Sequence, residues 1–251
     1  MKHEGVIEYE RYRLSFREGL LYLLEYLLMT SLTAYLFYDS VYAFFVFLGG
    51  FVWFIRKKKR QLIQKRKKEL SRQFQEAIEA AATALAAGFS VENAFLESQK
   101  DMQKLYGTDS MIVRELQGLM QYLSVGKTLE SFLLEFGERS GIEDIRDFGI
   151  VFSAAKRNGG NFNQIIRKCV TIMHEKQETE YEIAVLLSGK NFEQKILSVI
   201  PFAIIGYLRC STKGFLDILY HNPAGITVMS LCFAIYAAAY LLAEKIAAIE
   251  V

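Results

Sequence analysis

The sequence predicts an all-α membrane protein: a cytoplasmic bundle of six helices, built as three αα-hairpins, between two transmembrane helical hairpins. Three observations carry this expectation. Uncharged apolar stretches lie near both ends of the 251-residue chain. The polar middle repeats its apolar residues at helical period and is broken three times in the same way. Only 2 prolines occur in the whole chain, which leaves little room for a loop-rich β protein.

Residues 1–18 read as a cytoplasmic N-terminal segment carrying Lys2, Arg11, Arg13 and Arg17. No signal-peptide pattern is expected here, since Glu4, Glu8 and Glu10 interrupt the segment and no small-residue cleavage site ends the apolar stretch. Residues 19–55 form the first hairpin. Gly19 to Tyr38 is 20 residues with one charge, Glu25, and Ser40 to Ile55 adds 16 uncharged residues after Asp39. About 20 apolar residues cross a bilayer's hydrocarbon. Residues 56–68 form a basic collar in which nine of thirteen are cationic: Arg56, Lys57, Lys58, Lys59, Arg60, Lys65, Arg66, Lys67 and Lys68. That bias places the collar and the residues after it in the cytoplasm. Its plain reading is a topology anchor along anionic headgroups, rather than a nucleic-acid patch.

Residues 69–191 form the bundle. Residues 69 to 195 hold 14 Lys and Arg against 19 Asp and Glu, a net charge of −5. Phe74, Ile78, Ala81 and Leu85 mark one helical face, and Leu116, Leu119, Met120 and Leu123 another. Each of the three breaks places a Gly suited to the left-handed position after a helix, one residue, and then an N-cap. They are Gly88 with Ser90, Gly126 with Thr128, and Gly159 and Gly160 with Asn161. Asn161 with Gln164 also reads as a capping box. Gly107 with Asp109, and Ser140 with Gly141, punctuate between the hairpins. The last helix shows no Gly or Pro from Phe162 to Glu182, and Gly189 is its first candidate break.

Residues 192–243 read as the second hairpin, and 244–251 as a short cytoplasmic tail. Ala224 to Ala243 is 20 residues without a charge, whereas Ile196 to Leu208 offers 13, interrupted by Pro201. That weaker span reaches crossing length only when counted from Phe192 to Thr212. Arg209 and Lys213 fall in its outer loop, so its orientation rests on an even number of spans.

Chemistry-bearing constellations are missing from the sequence. No phosphate-binding GxxxxGK[ST] loop occurs. Cys169, Cys210 and Cys232 form no CxxC pair, and His174 near Glu175 and Glu178 lacks a second His or Cys ligand. Cys169 reads as a small apolar filler. The expectation is a protein that is not an enzyme and has no cofactor, no metal and no nucleic-acid partner. Glu25 alone stands out of place, roughly 10 Å below the inner surface at 1.5 Å per residue. Two readings of it stay open. Either it pairs inside the membrane, with a partner helix or a membrane substrate's amino terminus, or the span begins later and Glu25 is interfacial.

The basic collar, then "LAAGFSVENAF", "LSVGKTLESFL" and "AAKRNGGNFNQII", then a Pro-bearing span and a terminal span ending in "EKIAAIEV", resembles the type II secretion system F family. The resemblance covers about residues 56 to 251, and the N-terminal hairpin matches in layout only. The single domain with a hairpin on each side is most similar to the inner-membrane platform proteins of the Tad (Flp) tight-adherence pilus. The resemblance implies a multi-pass protein of the inner (cytoplasmic) membrane with a six-helix cytoplasmic bundle. It also implies its partners: a cytoplasmic assembly ATPase, small membrane-embedded pilins and a second, related platform subunit, in a homo- or hetero-oligomer. Gly88, Gly126, Gly159 and Gly160 match the family's turn positions, and no catalytic or metal residue carries over. The alternative is a membrane-anchored helical scaffold or signalling module without a transport role.

Overall fold

A computed structural model of the chain describes residues 9, 14–158, 162–211, 214, 216–220 and 222–249. Among them the chain is all-helical, without a strand. The helices are α1 (Phe16–Phe37), α2 (Val41–Leu48), α3 (Phe51–Ala86), α4 (Val91–Tyr106), α5 (Met111–Ser124), α6 (Leu129–Ser140), α7 (Glu143–Asn158), α8 (Phe162–Ser211), α9 (Asp217–Tyr220) and α10 (Pro223–Ile249). They fall into two compact units. Unit 1 is Met1–Arg13 with Lys59–Gln177, and unit 2 is Leu14–Lys58 with Glu178–Val251.

Unit 1 packs around a core of α3 to α8. Phe74, Ile78, Ala81 and Leu85, the face expected on α3, are all buried. On α5, Leu116 and Leu119 are buried, whereas Met120 and Leu123 are half-buried at the edge of the face. Edge-on aromatic contacts join the layers, with the Phe74 ring 5.9 Å from Phe136 and 5.5 Å from Phe148. Such pairs add to plain area burial. Two buried polar side chains of this core are tied to neighbouring backbone, whereas the buried Gln75 amide nitrogen has no hydrogen-bond partner among the described residues. The Ser98 hydroxyl donates to the Ala77 carbonyl at 2.6 Å, and the Gln73 amide oxygen accepts the Ile112 N–H at 3.2 Å. Gln73 thereby satisfies an N–H in the first turn of α5 that has no partner within its own helix.

Among the described residues, unit 2 contains two helices long and apolar enough to cross a membrane, Phe16–Phe37 and Pro223–Ile246. They bury little within the molecule: 22% of the apolar window of the first and 6% of that of the second. The second apolar segment, 40–55, is not one helix. α2 stops at Leu48, and Gly49 and Gly50 turn before α3 begins. The Tyr26 hydroxyl donates to the Phe47 carbonyl at 2.5 Å, and a Cβ at residue 50 would lie only 2.7 Å from that hydroxyl. The glycine pair thus lets α1 approach and supplies a partner for a carbonyl at the break.

The expected break at Gly189 is absent: α8 runs from Phe162 to Ser211 through both Gly189 and Pro201. One glycine costs a helix only about 1 kcal/mol, and the strong helix formers on either side outweigh it. Pro201 removes the N–H that would serve the Leu197 carbonyl. One residue on, the Ser198 carbonyl accepts the Tyr236 hydroxyl of α10 at 2.9 Å.

Candidate functional site

The residues singled out by sequence lie in three groups. The collar occupies consecutive turns of α3, and the structure divides it. In unit 2, Lys57 pairs with Glu244 of α10, and the Lys58 ammonium lies 3.1 Å from Glu25 of α1. Lys58 also sits 5.3 Å from the ring centres of both Tyr22 and Phe54. Glu25 therefore has a partner in its own chain, on a helix that sequence spacing did not connect to it. An ion pair of this kind adds little in water, but in apolar surroundings it removes most of the penalty of an isolated carboxylate. Successive lysines thus reach out to two different helices.

In unit 1, Lys67 donates to the Gly141 carbonyl just past the end of α6 at 3.1 Å, and the Arg66 guanidinium lies 5.1 Å from the Tyr9 ring centre. Of the remaining collar residues, Arg56, Arg60, Lys65 and Lys68 are exposed and Lys59 is half-buried. Near the C-terminal end of α8, Arg209 contacts Asp39 at 2.5 Å and lies 3.8 Å from the Tyr35 ring centre. Arg209, expected in a loop, thus lies within α8, and its charge is offset by Asp39.

The second group is the turns. Gly88 has φ +94° and Gly126 φ +79°, the region where side chains are strained and glycine is not. The Ser90 hydroxyl accepts the Asn93 N–H at 3.4 Å, and the Thr128 hydroxyl accepts that of Ser131 at 3.3 Å. The apolar residues that come next, Ala94 with Phe95 and Phe132 with Leu133, are buried. Gly159, Gly160 and Asn161 lie outside the described residues. Their flanks, however, meet the other two turns. Lys156 of α7 lies 2.9 Å from Glu130 and 3.6 Å from Glu92, in the first turns of α6 and α4. The last turn of α7 and the first turns of α4 and α6 thereby meet at one end of unit 1. Burial works against charge at Glu130, but hydrogen bonds from its own backbone and from Lys156 outweigh it and hold the carboxyl below its usual range.

The third group went unread in the sequence. Tyr9 is fully buried and donates to Glu115 at 2.8 Å. Arg139 grips the same carboxylate with both terminal nitrogens, at 2.9 and 2.5 Å, a bidentate geometry available to arginine alone. Burial, then the charge of Glu115 and the hydrogen bond to it, push the Tyr9 hydroxyl well above its ordinary value. Burial opposes the Arg139 charge, yet the Glu115 hydrogen bonds and charge raise it further. Gly137 and Gly149 mark where α6 and α7 cross. A Cβ on Gly137 would come within 2.5 Å of the Arg146 Cα, and one on Gly149 within 3.1 Å of the Leu133 carbonyl. Two mid-helix glycines twelve residues apart were the available signal.

Among the described residues no group of three His, Cys, Asp or Glu side chains is placed to hold a metal ion. His174 contacts Glu79 at 3.2 Å, on a half-exposed face. Burial raises the Cys169 thiol above its ordinary value, which disfavours the reactive thiolate. The chemistry this arrangement offers is contact and anchoring: paired charges on α3, capped turns at one end of unit 1, and apolar helices facing outward. No family model, curated protein or solved structure matches the chain.

Proposed function

We propose that the chain is a non-enzymatic inner-membrane platform protein of a type II secretion or Tad-type pilus assembly machine. In this reading unit 2 is embedded in the membrane as a multi-pass anchor. Unit 1 lies in the cytoplasm as a bundle of six helices and meets an assembly ATPase. The platform couples that ATPase to insertion of pilins into the pilus, alongside a second, related platform subunit. The observation that carries the reading is the ordered repeat of glycine-and-cap turns between apolar segments, in the spacing of the family it resembles. The outward-facing apolar helices of unit 2 support the membrane placement, because surface of that kind is not left in water.

The test is an affinity pull-down of tagged full-length protein from detergent-solubilised membranes, with mass spectrometry of what accompanies it. Co-purification of an assembly ATPase, a related platform subunit or a short pilin is the expected result. Stoichiometric recovery of soluble signalling proteins alone would replace the platform with a membrane-anchored scaffold.

A further inference from the structure

Unit 2 holds a cavity of about 500 Å³ between α8 and α10, a volume in the range of small-molecule sites. Its lining is mixed. Lys190 and Glu193 stand on successive turns of α8, both exposed. At i, i+3 spacing their Cβ atoms lie about 5–6 Å apart. Even so, neither makes an ion pair with the other or with any other described residue, so each keeps its charge for a visitor. Asn191, Gln194 and Ser198 of α8 are polar, and apolar surface comes from Leu197 of α8 with Ala239, Tyr240 and Ala243 of α10. Ala239 and Ala243 occupy the same face of α10, one turn apart, and their small side chains leave the space open.

We propose that this cavity binds a zwitterionic phospholipid with a primary-amine headgroup. The phosphate sits on Lys190, the ammonium on Glu193, and an acyl chain lies over Ala239 and Ala243 against Leu197 and Tyr240. The two charges are what select the ligand. A carboxylate beside the lysine disfavours a purely anionic headgroup. A primary ammonium donates hydrogen bonds to Glu193, which a quaternary choline cannot do. The proposal rests on the membrane placement proposed for unit 2, and its test keeps the two apart.

Full-length protein would be extracted in mild detergent and offered an equimolar mixture of phosphatidylethanolamine, phosphatidylcholine and phosphatidylglycerol. Retained lipid is then read by native mass spectrometry. The expected result is a preference of roughly threefold for the ethanolamine lipid over each of the others, the size of a partly exposed ion pair. Glu193→Gln should bring ethanolamine and choline lipids to parity, Lys190→Gln should lower retention of all three, and Ala239→Leu should abolish the adduct by filling the wall. Excess glycerophosphoethanolamine, which has the headgroup and no chains, should not displace the lipid. Equal retention of the three lipids, an unchanged preference in Glu193→Gln, or displacement by the headgroup alone would overturn the proposal. Protein recovered in the soluble fraction without detergent would sink the membrane reading itself, which is a different result from membrane-bound protein lacking a lipid preference.

Discussion

Units 1 and 2 use the same apolar residues in opposite ways. In unit 1, Phe95 and Leu133 are each 2% exposed, whereas in unit 2 Phe192 is 66% and Leu231 63% exposed. One region folds as a water-soluble domain does, by removing apolar surface from solvent. The other turns that surface outward and pairs several of its charges internally, Glu25 with Lys58, Lys57 with Glu244 and Arg209 with Asp39. The uncharged stretches near both ends of the chain already hint at this division, and burial makes it explicit.

The largest expected effect tests the polar heart of unit 1. Arg139→Ala leaves the buried Glu115 carboxylate facing Tyr9 without its cation, and should cost about 3–5 kcal/mol. Denaturant unfolding of the full chain in detergent, followed by a probe in unit 1, measures it. A loss under about 1 kcal/mol, the worth of an exposed pair, would show that the pair is solvated. The next prediction sets the two units against each other with one substitution type. Leu133→Ala should destabilise by about 2–5 kcal/mol as a core truncation, while Leu231→Ala should stay within about 0.5 kcal/mol. Equal losses would break the comparison, since they would mean that Leu231 is packed against something as firmly as Leu133.

A smaller effect attends the turns. Gly88→Ala and Gly126→Ala meet no atom within 4 Å of the new Cβ, so only the positive φ is penalised, at about 1–2 kcal/mol each. Thermal melts of the single and double variants should show additive losses. The smallest effect depends on pH. Burial first, then a hydrogen bond from its hydroxyl to Glu76, raises Tyr106 from 10.0 to about 12. Because the folded value is the higher one, this contribution is complete below pH 10 and is lost as pH rises toward 12. Tyrosinate absorbance, taken as the difference between the parent and Tyr106→Phe, should show one late-titrating group.

Features set by neighbouring residues were legible in the sequence. Gly88 with Ser90, and Gly126 with Thr128, announce themselves because a left-handed glycine and a hydroxyl cap are local devices. The apolar faces of α3 and α5 come from period alone. Contacts across long separations were not legible. Glu25 and Lys58 are 33 residues apart, and Tyr9 and Glu115 are 106 apart; nothing in either segment points to the other. Gly189 misled because a lone glycine is read as punctuation, whereas the helix around it is strong enough to continue. The reverse happened at Gly49 and Gly50, read as part of an uncharged span, where a facing tyrosine turns them into a bend. Gly137 and Gly149 escaped for a related reason: a mid-helix glycine is a visible signal, but only the backbone it meets across the fold gives it meaning.

That last pair has a mechanical consequence. Most helices in a packed domain touch through layers of side chains, which yield by changing rotamer. At Gly137 and Gly149 α6 and α7 lack such a layer, and backbone lies against backbone. The two helices therefore approach there as closely as their backbones allow. A side chain at either glycine would have to push the two helices apart, so their separation is set by the absence of a Cβ.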